Sequence, residues 1–351
     1  MQAMPTLDAA WRTGRNHFNL IRLVAAWLVI WSHAWAITGT AGNDHFARLT
    51  TRSAGAFAVD VFFVISGFLV AASLQRNTWH DFLRARALRI YPALVVCIAL
   101  TVFVLGPLAS AAPDYWANAG TWRYLWSNAT LWRAEFHLPG VFDTLPRTAV
   151  NGSLWTLPIE GRLYLMLFVA GLLGMLAPKR YVPAWALALA GAAGFAWMSR
   201  PLPEHLEYLL WVTAFFITGT LLWVLRAKVR LSWWLWLPLL LAAALARGSV
   251  WFVPAYFATV AYGVFCLAFR APLPRIERTD LSYGLYLYGW PMQQLALLAG
   301  ATSVAANTLV ATALALACAA ASWFLVERPA LRWKRRSSTV PPTVSEGAAA
   351  S

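Results

Sequence analysis

The chain has 351 residues, of which 60% are hydrophobic and only 12% charged, against about 25% charged in soluble domains. Because the apolar residues come in stretches long enough to cross a bilayer, this composition excludes a disulfide scaffold, a disordered regulator and a soluble enzyme, and it leaves no room for a second soluble domain. The net charge of +14 would suggest nucleic acid in a soluble protein; here the cations flank apolar stretches, where they set topology and meet anionic lipid, so no nucleic-acid partner is expected.

In chain order, residues 1–15 are polar and read as a short cytoplasmic N-terminal segment. The apolar stretch after them has no small-residue cleavage site and reads as a retained first helix. Bilayer spans are predicted near 20–37, 56–75, 91–112, 154–177, 182–199, 207–225, 232–246, 250–269, 281–300 and 308–326. The fold class expected is an all-α integral membrane protein, a bundle of about ten transmembrane helices over residues 16–335. Residues 336–351, rich in Ser, Thr, Pro and Ala without a period, read as a disordered cytoplasmic tail. Of the 28 Lys and Arg, twenty fall in one set of alternate loops or at the span ends beside them, Arg22 among these, and seven in the other, with Arg162 well inside a span. Both termini are therefore predicted to be cytoplasmic. Cys97, Cys266 and Cys318 sit in apolar runs without CxxC or His spacing, so neither a disulfide nor a metal site is expected.

The one long connection, 112–153, carries Tyr115, Trp116, Trp122, Tyr124, Trp126 and Trp132. Two readings stay open: an interfacial aromatic belt, or ring faces that stack on sugars. A charged side chain at mid-bilayer costs at least about 2.5–3.5 kcal/mol, so the ionisable residues inside spans need a partner or a task. Arg22 and His33 share the first helix. Eleven steps of about 100° bring both to one face, about 16 Å apart along the axis, with Arg22 near the cytoplasmic end and His33 in the outer half. Asp60 and Glu160 enter their helices at the same outer level. A carboxylate could orient the imidazole to take a proton from a hydroxyl, or all three groups could simply tie helices together. Arg86 and Arg89, three apart, present two guanidinium groups on one face, suited to phosphates or serving only as topology signals.

Several segments, taken in order, resemble the integral-membrane acyltransferase-3 family. They are Arg22 to His33 in NLIRLVAAWLVIWSHAW, VDVFFVISGFLVAASL from Val59, Arg86 with Arg89, NGSLWTLPIEGRLYL from Asn151, LSYGLYLYGWP from Leu281, and WFLVERP from Trp323. The resemblance implies O-acylation of a cell-envelope glycan, such as O-antigen or exopolysaccharide. The acyl group, commonly acetyl, would come from cytoplasmic acyl-CoA and pass to a sugar hydroxyl outside the bacterial inner membrane. It implies His33 as the catalytic group, with Asp60 or Glu160 orienting it, either as general base or as transient acyl acceptor. It also implies Arg22, Arg86 and Arg89 as the acyl-CoA phosphate ligands, and no metal. Two departures stand out. Some members carry His in the late SYG helix, where this chain has Tyr288-Gly289-Trp290, and some carry a C-terminal hydrolase-like domain, for which a separate envelope partner could substitute here. The rival readings are a transporter or flippase of envelope glycans, which commonly shows duplicated halves, and a non-catalytic membrane scaffold.

Overall fold

The computed structural model describes residues 4–42, 44–50, 52–186 and 203–336. Its principal helices are α1 (Phe18–Ile37), α2 (Ala54–Arg76), α3 (Trp79–Leu100), α4 (Thr156–Leu172), α5 (Glu204–Val224), α6 (Trp233–Leu245), α7 (Phe252–Arg270), α8 (Ser282–Leu298) and α9 (Val304–Ser322). Among the described residues there are no strands beyond two isolated bridges. The all-α expectation and the membrane class therefore agree with the fold. Six helices are long and apolar enough to cross a bilayer: α1, α2, α5, α7, α3 with its extension to Ala109, and α9 with its extension to Trp333. The expected spans near 154–177 and 281–300 are helices of 17 residues, and that near 232–246 is one of 13. The stretch expected at 182–199 and the tail from 336 lie almost wholly outside the described residues.

Two boundaries differ from expectation for local reasons. The third helix begins at Trp79 rather than near 91, because Thr78 caps it by accepting from the Asp81 amide at 3.2 Å while its hydroxyl donates to the Asp81 carboxylate at 2.8 Å. Pro92 then lies inside the helix, so Arg86 and Arg89 belong to the spanning element itself. The N-terminal segment is not free: Leu7–Arg12 is a short helix whose Leu7 is fully buried, and the Leu7 amide donates to the Val229 carbonyl at 2.7 Å. Asp8 pairs with Arg226 at 2.9 Å and Arg12 at 2.8 Å.

The helices α9, α8, α1, α2 and α5 are neighbours in that order. The α2–α5 contact is set by two glycines. A Cβ on Gly67 would collide with the Phe216 carbonyl, and one on Gly219 with the Val64 carbonyl. Small residues of this kind let helix backbones touch where no hydrophobic effect separates protein from lipid. Below the contact, Phe68 meets Trp11, Trp223 and Phe265 at ring-centroid distances of 5.4, 5.3 and 4.7 Å. That cluster docks the N-terminal helix against the bundle.

Candidate active site

The shared face of α1 runs past two cavities. Arg22 lines a narrow one of about 90 Å³, together with Arg86, Arg89, Ser66, Glu160 and Tyr164. Val29 and His33 line a wider one of about 670 Å³. Spacing on α1 thus separates an arginine end from a histidine end by three turns of helix.

At the arginine end the charges are internally matched. One oxygen of Asp280 accepts from Arg22 at 2.8 Å and from Arg89 at 2.6 Å. The other accepts from the Ser282 amide at 3.2 Å and its hydroxyl at 2.5 Å. Asp280 lies in the loop before α8. Its burial alone would raise the carboxyl pKa, but Arg22, Arg89 and the Ser282 donors overcome that and hold it well below the usual carboxylate range. Arg89 also lies 3.8 Å from Glu327, which accepts from Ser322 at 3.0 Å. Glu160 accepts from the Tyr164 hydroxyl and from Ser66 at 3.2 Å. Arg22, Arg86 and Arg89 are formally balanced by Glu160, Asp280 and Glu327. Arg86 differs from the other two arginines: its guanidinium lies 5.7 Å over the Tyr164 ring, and its buried Nε has no hydrogen-bond partner among the described residues.

At the histidine end the His33 ring meets the Trp290 edge at 4.7 Å, and its buried Nδ1 has no hydrogen-bond partner. His137 and His205 line the same cavity, as do Trp155 and Tyr208, whose ring centroids are 5.8 Å apart. The wall beside His33 is built from α8. Pro291, within α8, cannot donate to the Leu287 carbonyl four residues back, and that carbonyl instead accepts from Asn151 at 2.9 Å. Trp290 and Gln294 each donate to the Ala149 carbonyl at 2.8 Å. Gly152 leaves room for the Trp290 ring, which a Cβ would meet at 2.7 Å. Trp290 therefore supports the loop by its hydrogen bond and meets the imidazole by packing.

The expected layer of His33, Asp60 and Glu160 does not form. Asp60 is fully buried and accepts from Trp211 and Tyr256 at 2.8 Å each, with Arg52 at 3.3 Å. It follows Val59, which lines the His33 cavity, and one residue turns a helix by about 100°, so its carboxylate points toward α5 and α7. Glu160 likewise follows Ile159, which lines that cavity, and turns instead toward the arginines. Arg162 donates to the Trp132 carbonyl at 2.6 Å and does not neutralise Glu160. The spacing of Arg86 and Arg89 does bring both into one cavity with Arg22. None of the six aromatic residues singled out between 112 and 153 lines the His33 cavity, and Trp126 and Trp132 are exposed. Phe136, His137, Trp155 and Tyr208 are there instead. Asp280 and Glu327 were not singled out as site residues, although Glu327 lies in a quoted motif and Asp280 stands at the polar edge of the SYG helix.

Residues 15–327 match the family described as an acyltransferase domain. The chain belongs to that acyltransferase family. It is 28% identical over 353 residues to the "O-acetyl transferase" of Shigella phage Sf6, covering 92% of this chain and 97% of the phage protein. It is 30% identical over 369 residues to "Nodulation protein 10" of Rhizobium leguminosarum bv. viciae, covering 94% and 96%. No solved structure matches. The match to the acyltransferase family takes in both cavities, from Arg22 at the start of α1 to Glu327 beyond α9.

Proposed function

We propose that this membrane acyltransferase moves an acetyl group from cytoplasmic acyl-CoA to a hydroxyl of an envelope glycan, in the bacterial inner membrane with both termini in the cytoplasm. The observation that carries the reading is the single face of α1, which borders an arginine-lined cavity at one end and the His33 cavity at the other. The name of the phage relative supports acetyl transfer to oxygen. At the arginine end Arg86 offers the unspent donor for a donor phosphate, while Arg22 and Arg89 are already engaged by Asp280. At the histidine end the ring faces of Trp155 and Tyr208 suit a sugar, and His137 and His205 supply polar contacts. His33 removes the acceptor hydroxyl proton as the oxygen attacks the thioester carbonyl carbon. The C–O bond forms, the C–S bond breaks, and the proton ends on the departing CoA sulfur. Asp60 and Glu160 take no part in orienting the imidazole; Trp290 does so by contact.

The test uses the full chain in nanodiscs with acetyl-CoA labelled in the acetyl group and lipopolysaccharide or exopolysaccharide as acceptor. Alkali-labile label on the polysaccharide, matched by free CoA thiol, is expected. Thiol release that ignores the acceptor, or no labelled polysaccharide, would reject the reading.

A further inference from the structure

The two cavities share two lining side chains, Val59 and Tyr286. Both are buried, at 7% and 8% exposure, so they stand between the hollows rather than at a rim. The Tyr286 ring is held in place. Its hydroxyl lies 2.8 Å from the Thr156 hydroxyl and donates to the Ser153 carbonyl at 2.8 Å. Phe62, on the arginine side, meets the ring edge-on at 5.8 Å, and Arg22 lies 6.0 Å over Phe62. Val59 is β-branched within α2, which leaves it one strongly preferred rotamer. The chemistry assigned to His33 and the arginines uses neither residue.

We propose that Val59 and Tyr286 form an acyl-size gate: the acyl-thioester end of the donor reaches His33 between them with the pantetheine arm behind it, and the room left at the gap confines the acyl group to short saturated chains. This inference rests on the acyl-CoA reading above. A gate of one aliphatic and one pinned aromatic side chain discriminates by size alone. A single methylene against a tight apolar wall changes selectivity by about 10–200-fold. The partition also gives Tyr286 a reason to be fixed at two points, since a free ring would set no size limit.

The experiment measures kcat/KM of the full chain in nanodiscs with acetyl-, propionyl-, butyryl- and hexanoyl-CoA, and reads the butyryl-to-acetyl ratio, which does not depend on the fraction of folded protein. Wild type should favour acetyl by about tenfold or more per added methylene pair. Val59→Ala should raise the ratio about tenfold, and Tyr286→Phe, which keeps the ring but drops both hydrogen bonds, should raise it less. Val59→Phe should abolish transfer of every chain while acyl-CoA binding persists, because the arginines are untouched. A ratio unchanged within about twofold in both widening variants, including a uniform loss for all donors, would overturn the gate while leaving acyl-CoA transfer standing. A wild type that transfers nothing from any acyl-CoA would remove both.

Discussion

His33 is the residue on which the chemistry turns, and its surroundings sharpen the test. Among the described residues no carboxylate hydrogen-bonds to its ring, although Glu204 lines the same cavity, so removing Asp60 or Glu160 would not separate catalysis from structure. Glutamine at the position keeps polar reach but takes no proton at useful pH. His33→Gln should therefore lose transfer as completely as His33→Ala, by about 10²–10⁴-fold, with acyl-CoA binding retained. Near-normal turnover in the glutamine variant would return His33 to a helix-tying role. The arginines divide in the same way. Arg86→Ala removes a guanidinium that has no ion pair among the described residues and stacks on Tyr164, and should raise the apparent constant for acyl-CoA about tenfold with a smaller fall in melting temperature than Arg89→Ala. Arg89→Ala leaves Asp280 and Glu327 short of a counter-charge, and should cost about 3–5 kcal/mol of stability, seen as a lowered melting temperature in detergent. Equal stability of the two variants would contradict the ion-pair geometry. That Arg86 and Arg89 share a face was legible from their spacing, and that Arg22 joins them was what the family resemblance implied. That Asp280 joins two of them was not, because a loop carboxylate 258 residues from Arg22 leaves no local pattern.

Helices α2 and α5 supply the matching lesson one level up. Both read as apolar runs, and neither run says which neighbour it touches. The glycines decide it. Gly67→Ala should destabilise by about 1–3 kcal/mol through overpacking against the Phe216 carbonyl. Gly161→Ala, in the interior of α4 with Leu131 Cδ1 at an ordinary 3.7 Å, should stabilise by up to about 1 kcal/mol. Melting temperatures of the two single variants check the opposite signs. Two losses or two gains would mean that helix contact, as drawn, does not set the cost. The same distinction explains why Asp60 does not join His33. Helical position was correct to within a residue, but a residue is 100°, and only the packing of α5 and α7 shows which side of α2 faces their Trp211 and Tyr256.

For the molecule as a whole, the excess of cations in alternate loops carries the expected orientation, which can be checked directly. Reporter fusions after Arg230 and Arg278 should give a cytoplasmic signal, and fusions near Asn128 an outer-side signal. A cytoplasmic signal at Asn128 would reverse the orientation. Apolar length was legible for the six long helices. It was less so for α4 and α8, whose 17-residue helices carry much of the site. The docked N-terminal helix was hidden because its buried anchor is the single side chain Leu7 within a polar stretch. The paired hollows also have an electrical meaning. Under the proposed gate, the insulation between the two hollows rests on Val59 and Tyr286, which line both. A gap lined by apolar groups can stay dewetted and block ions while an acyl group slips through. Liposomes bearing the wild type should hold an imposed pH gradient as well as empty ones. Val59→Ala should let it decay measurably faster if the proposed gate is the barrier, so that a wider donor range would come with a leak.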